Sequence, residues 1–111
     1  MQKTTDDLVK DNAPSIDEWK AKHRTVKVIV ANSKYNGKQP YIIGKPTGIM
    51  LDAIAKYDNE GKTHKINELL INSCVLAGNK DLFADDVDLK NAVLLKVTDL
   101  LERLEVEEKE L

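Results

Sequence analysis

The chain has few aromatic residues and a single cysteine. Aromatic side chains make up 5% of its 111 residues, so a core must be built from Leu, Ile, Val and Ala. Such a composition favours packed helices over an aromatic-lined ligand pocket. Because Cys74 has no second cysteine with which to pair, no intramolecular disulfide can form, and a reducing interior suits the chain best.

Long apolar runs are also missing. No stretch approaches the roughly 20 apolar residues that a membrane-spanning helix needs, and the N-terminal charges are not followed by the apolar run of a signal peptide. We therefore expect a cytoplasmic protein with no membrane association. A length of 111 residues suits one domain that can bury a core of its own.

Residues with the spacing of a catalytic or metal site are lacking as well. His23 and His64 are the only histidines, and neither lies near further ligands at the close spacing of a zinc site. The aspartates from Asp81 to Asp88 lack the glycine and the closing glutamate of a calcium loop, and one of Asp85, Asp86 and Asp88 is expected to cap the last helix. Phosphate-loop and nucleophile-elbow patterns are absent from the sequence. We expect a non-enzymatic protein with no metal, no cofactor and no small-molecule substrate.

The N-terminal part of the chain is polar. Residues 1–14, interrupted by Asn12-Ala13-Pro14, predict a flexible segment. A short helix is predicted over residues 15–22, where Ser15 and Glu18 have the spacing of a capping box. Residues 15–111 are predicted to form a single domain.

A β-hairpin is predicted next. The β-branched run over residues 25–31 predicts a strand, and residues 40–44 predict the returning strand. Asn36-Gly37 between them is a strong hairpin signal, because both residues tolerate positive φ. The alternation predicts that Val26, Val28 and Val30 face the core.

Three helices are predicted to pack against this hairpin, over residues 48–57, 63–77 and 87–108. Thr47 is the expected N-cap of the first, and Gly78 is placed to end the second. The second helix is apolar over most of its circumference, so it is expected at the centre of the domain. The predicted fold class is therefore α+β, an antiparallel hairpin against three helices.

Charge is unevenly distributed along the chain. Between Lys20 and Lys56 there are eight Lys or Arg residues and one acid, whereas from Thr63 onward there are six bases and eleven acids. This asymmetry suggests an electrostatic partner or self-assembly, although a solvated strand ribbon and a solvated helix are the better explanation. The predicted hairpin could form a basic surface from Lys27, Lys34, Tyr35 and Lys38, so nucleic-acid binding is kept as a less favoured alternative.

The last predicted helix carries an apolar seam. At helical spacing, this seam can either bury itself in the core or bind a partner or a second copy. Core packing is the better explanation for its first half, from Leu89 to Val97. The residues expected at a partner or self-interface are Leu89, Val93, Val97, Leu100, Leu101 and Leu104.

Two sequence patterns resemble a known family. The first is YIIGKP, which ends the predicted hairpin and leads into a helix. The second is NELLINSCVLAGN, which is followed by two aspartates and a last helix. Over residues 19–104 the chain resembles small proteins of tailed bacteriophages and prophages, of the tail-assembly-chaperone type. Ser73 departs from the pattern, in which the preceding Asn and the following Cys are adjacent. The matching positions are Tyr41, Ile42, Lys45, Pro46, Asn67, Glu68, Leu70, Ile71, Asn72, Cys74, Gly78 and Asn79.

The resemblance implies a non-enzymatic protein of the bacterial host cytoplasm that binds a tape-measure-type partner. Such a protein shields the apolar helices of its partner until the tail tube assembles, and self-association through the last helix is expected. A structural component of the virion tail is an alternative that the sequence does not separate from a chaperone.

Overall fold

The computed structural model describes residues 4–101 and 107–111 of the chain. Within these residues, five α-helices, a short 3-10 helix and one three-stranded antiparallel sheet form a mixed α+β fold, as the sequence predicts. The helices are α1 (Thr5–Asp11), α2 (Ala13–His23), α3 (Gly48–Asn59), α4 (Thr63–Cys74) and α5 (Val87–Asp99). The strands are β1 (Val26–Ser33), β2 (Gly37–Gly44) and β3 (Val75–Ala77), and the 3-10 helix is Lys80–Ala84.

The sheet has the order β1-β2-β3, so β2 is its central strand. The hairpin turn spans three residues, Lys34 to Asn36, and Ser33 pairs with Gly37. Gly37 has a φ of 71°, the left-handed conformation that closes three-residue hairpins of this kind. The hairpin prediction is confirmed, but the positive φ falls on Gly37 alone.

Helices cover both faces of the sheet. Tyr41 and Ile43 of β2 and the half-buried Ile29 and Ala31 of β1 belong to the main core, which α3, α4 and α5 complete. Ile42 points to the opposite face, where α1 and α2 pack. His23 at the end of α2 lies so close to Gly44 that a Cβ there would come within 2.7 Å of the imidazole Cγ.

The predicted central helix over residues 63–77 is shorter than expected. It ends at Cys74, and Val75–Ala77 forms β3, which pairs with Ile42 and Ile43 of β2. Val75 is β-branched, and the sheet offers hydrogen bonds to its backbone along the free edge of β2. A strand is therefore favoured over one more helical turn at this position. Gly78 therefore ends a strand instead of capping a helix, and its φ of 119° suits only glycine.

The N-terminal region is also more ordered than the sequence predicts. Residues 5–11, expected in a flexible segment, form α1, in which Leu8 is buried. Its capping box joins Thr4 and Asp7. The next helix begins at Ala13 instead of Ser15, with Pro14 in its first turn, a position where proline costs no hydrogen bond.

The last helix, α5, ends at Asp99. The sequence predicts a helix to residue 108, and residues 102–106 of that prediction lie outside the described residues. Residues 107–111 have no helical structure. The acids of this tail would lie at the negative end of a longer helix, where its dipole disfavours them.

Candidate functional site

The apolar seam of the last helix is part of the core. Leu89, Val93 and Val97 are at most 3% exposed, and Leu100 packs partly buried against the same cluster. These four side chains are not an available surface, which corrects the predicted interface. Leu101 is half-buried, and Leu104 lies outside the described residues.

Asp86 joins this helix to the hairpin turn. Its carboxylate accepts hydrogen bonds from the Ser33 hydroxyl, from the Asn36 amide at 2.9 Å and from the Leu89 backbone N–H at 3.1 Å. These donors lower the pKa of Asp86, with the Ser33 hydroxyl contributing most. Asp86 thus caps α5, as expected of one aspartate in this loop, and it also fixes the far end of β1 against the core.

The predicted basic hairpin surface is divided by the sheet. Residues directly opposite each other share a face, and faces alternate along a strand. Lys27 pairs with Ile43 and Lys38 pairs with Asn32, so the two lysines lie on opposite faces. Lys34 and Tyr35 are in the turn, with the Lys34 ammonium 5.9 Å from the centre of the Tyr35 ring. These residues are exposed but do not form one basic surface.

Bases converge instead in a cleft between the ends of α2 and β2 and the start of α3. Lys22, Arg24 and Lys45 line this cleft of about 390 Å³. His23 is buried beside it and bonds through Nδ1 to the Lys45 carbonyl at 2.8 Å. We call this site the basic cleft. The sequence indicates its charge through the basic run from Lys20 to Lys56, but not the convergence of these three side chains.

The outer strand β1 has an open edge. The Lys45 N–H donates to the Thr25 carbonyl at 3.0 Å, and these residues continue the register in which Val26 pairs with Gly44. Along an antiparallel ladder, hydrogen-bonded pairs alternate with pairs that are not hydrogen-bonded. Because Thr25 is in a hydrogen-bonded pair, the backbone groups of the odd-numbered residues of β1 bond to β2. The backbone groups of Val28 and Val30 therefore point away from β2, and they bond to nothing in the described part of the chain.

The side chains of the same two residues are exposed. Val28 is 41% exposed and Val30 46% exposed, and both lie on the face that α1 and α2 cover incompletely. The sequence predicts that these valines face the core, and that prediction is wrong. Ile29 and Ala31 pack against the main core instead, because α5 lies over their face of the strand.

Open backbone groups beside exposed valines favour the addition of another extended segment. We call this surface, formed by the outer edge of β1 with Val28 and Val30, the β1 edge. The sequence shows a β-branched run there, but not that the run lies on the outside of the sheet.

Comparisons of the chain with protein-family models, with curated proteins and with solved structures found no match. Among the described residues, no helix has the length and apolar character needed to cross a membrane. Within those same residues, no three His, Cys, Asp or Glu side chains lie close enough together to hold a metal ion.

Proposed function

We propose that this chain is a non-enzymatic, protein-binding assembly factor of the phage or prophage tail-assembly-chaperone type, and that the β1 edge is its binding surface. The observation that carries the proposal is the eight-residue outer strand, which has two exposed valines and outward backbone groups that bond to nothing in the described part of the chain. The resemblance in YIIGKP and NELLINSCVLAGN supports the choice of assembly class. The partner is then a tape-measure-type protein, and the work is done in the cytoplasm of a bacterial host.

The β1 edge suits a client with exposed apolar segments. A partner chain that pairs with β1 gains backbone hydrogen bonds along the strand and covers Val28 and Val30. Because both side chains are already more than half buried, covering them adds only about 1–2 kcal/mol, which suits reversible binding. Reversibility is what an assembly factor requires, because its client must be released to the growing tail.

Co-expression with the tape-measure-type protein of the same genome region tests the proposal. We expect Val28→Lys and Val30→Lys each to weaken capture of the client and to lower its soluble yield. Leu95→Lys is the matched control, since Leu95 is an exposed apolar residue, 61% accessible, on α5, which packs on the face of β1 opposite to Val28 and Val30. Loss of binding in the Leu95 variant alone would move the interface to α5, and no capture by the wild-type chain would overturn the proposal.

A structural tail component would use the same surface but would remain in the finished particle. Detection of the chain in purified particles, at a constant ratio to the tail-tube protein, would favour that alternative over a chaperone.

A nucleic-acid-binding accessory protein is the second candidate, and the basic cleft is the observation that favours it. Lys22 and Arg24 at the end of α2 meet Lys45, which follows β2, in this cleft, whereas the residues of the predicted hairpin surface do not form one basic surface. Phosphate contacts make binding fall steeply with salt. We expect Lys22→Gln and Arg24→Gln to reduce both affinity and salt dependence if this function applies, with Lys34→Gln in the hairpin turn as the control.

A further inference from the structure

We infer that β1 pairs antiparallel with β1 of a second copy of this chain, around a two-fold axis at Ile29. The two sheets then join into one six-stranded sheet. This inference goes beyond the proposed function, and it places the second copy on the same surface that the client would bind. The client would therefore have to displace the second copy.

The backbone of β1 favours this arrangement. The outward-pointing N–H and C=O groups belong to even-numbered residues, which include Val28 and Val30. In an antiparallel pair around Ile29, residue 28 of one copy faces residue 30 of the other. Even residues then face even residues, as an antiparallel ladder requires. Residues 26–32 all find a partner, so almost the whole strand is used.

The side chains of β1 are self-complementary around the same axis. Val28 of each copy faces Val30 of the other, which brings together the four exposed valines of the two copies. On the opposite face, Lys27 of one copy is across from Ala31 of the other, so the ammonium groups are separated. Cross-strand pairs of β-branched residues stabilise a sheet, and like charges directly opposite destabilise it.

Shifted registers lose these contacts. An axis at Lys27 would put the two Lys27 ammonium groups directly opposite each other. An axis at Val30 would place Val28 across from Asn32. An axis at Val28 would keep the valines together but would pair only residues 26–30 within the strand. The axis at Ile29 is the register that keeps both valine pairs and uses the strand along its length.

A charge-swap experiment tests the interface and its register together. In the double variant Val28→Lys/Val30→Glu, each introduced lysine faces an introduced glutamate of the other copy. In Val28→Lys/Val30→Lys, lysine faces lysine at both positions. The two variants lose the same valines and differ only at residue 30, where a glutamate or a lysine faces the lysine at residue 28 of the other copy. Both sites are exposed, which protects the monomer fold from the changes.

We expect the wild-type chain to sediment as a concentration-dependent dimer. The Lys/Glu variant is expected to dimerise about tenfold more tightly than the Lys/Lys variant, because two opposite-charge pairs replace two like-charge pairs. A second measurement is disulfide trapping, in which Ile29→Cys forms a cross-linked dimer under mild oxidation and Tyr35→Cys in the turn does not. Residues at a non-hydrogen-bonded antiparallel pair are close enough for a disulfide.

A monomeric wild-type chain at all accessible concentrations would overturn the inference, as would equal dimerisation of the two charge variants. These outcomes are separate from failure of the proposed function. A monomer that still loses its client in Val28→Lys keeps the function and removes the dimer. A dimer with the expected charge preference but no client keeps the dimer and removes the function.

Discussion

Val28 and Ile42 lie directly opposite each other on neighbouring strands and point to the same face of the sheet. Both are β-branched and apolar, yet Ile42 is 2% exposed and Val28 is 41% exposed. The difference comes from position within the sheet. β2 is central, with β1 and β3 on its two sides and helices on both faces, whereas β1 has a neighbour on one side only.

The comparison shows that one hairpin serves two purposes. Its second strand holds the domain together, since Tyr41, Ile42 and Ile43 are all buried. Its first strand shares the same backbone ladder but keeps an edge and two valines accessible. Because Asp86 fixes the turn between the two strands, the open strand is held in an extended conformation. Such preorganisation would lower the entropy cost of the proposed pairing with another strand.

The largest expected change in the free energy of unfolding comes from replacing Ile42 by alanine, and the same replacement of Val28 is its comparison. Ile42→Ala is expected to lower the free energy of unfolding by about 2–5 kcal/mol, because it leaves a cavity in a covered face. Val28→Ala is expected to change it by no more than about 0.5 kcal/mol. Denaturant titration at low protein concentration measures both values without interference from self-association. Similar losses in the two variants would show that Val28 is covered like Ile42.

The next largest loss of stability is expected where Gly78 packs against Tyr41 in the middle of β2. A Cβ at this position would lie 2.8 Å from the Pro40 carbonyl and in contact with the Tyr41 ring. The φ of 119° adds strain for any other residue. We expect Gly78→Ala to destabilise the protein by about 2–4 kcal/mol.

Gly48→Ala is the control for this substitution. No atom lies within 4 Å of a Cβ there, and Gly48 is in the first turn of α3. Thermal unfolding should show a neutral or slightly raised stability for Gly48→Ala. If Gly78→Ala left the stability unchanged, the Tyr41 ring and the Pro40 backbone would have to move away from the new methyl group at little cost in free energy.

The smallest expected change in stability comes from removing the hydroxyl of Tyr41 in β2, and Tyr35 in the turn is its comparison. The Tyr41 hydroxyl donates to the Asn79 carbonyl at 2.8 Å, and the Tyr41 ring stacks on Phe83 with centroids 5.3 Å apart. Tyr41→Phe is expected to cost about 1 kcal/mol through the lost hydrogen bond. Tyr35→Phe should cost nothing measurable, since Tyr35 is 80% exposed.

This pair of variants also has a distinct pH dependence. Burial, with a smaller contribution from the Asp86 carboxylate, raises the pKa of Tyr41 from 10.0 to about 12. The folded chain therefore retains a proton that the unfolded chain releases from about pH 10 upward, so stability falls as pH rises from 10 to 12. The fall should be smaller in Tyr41→Phe and unchanged in Tyr35→Phe. Burial also raises the pKa of Cys74 to about 11, and that contribution is common to both variants.

Several features could be predicted from local patterns because local chemistry decides them. The hairpin follows from two β-branched runs around Asn36-Gly37, and the N-caps Thr47 and Asp86 follow from the side-chain oxygens that helix starts require. Cys74 lies in the apolar pattern of the second predicted helix, and it is fully buried with its sulfur 3.6 Å from that of Met50. The seam from Leu89 to Val97 was correctly recognised as apolar, and its burial was the better of two explanations.

Other features could not be predicted because they depend on which elements become neighbours. Alternation along β1 shows that its two faces differ, but it cannot show that α5 packs on the Ile29 face. Helical periodicity through Cys74 to Ala77 could not reveal that β2 offers an unpaired edge to Val75. The bases of the basic cleft are spread over Lys22 to Lys45, and only the packing of the end of α2 beside β2 brings them together.

By itself, the sequence determined the class of fold, the position of the hairpin and the starts of α3 and α5, because backbone preference, periodicity and capping act over a few residues. Tertiary structure alone decided which strand became central and which remained at the edge. That choice depends on burial of apolar area between elements distant in the sequence, and it turned one of two similar β-branched strands into the core and the other into the candidate binding surface.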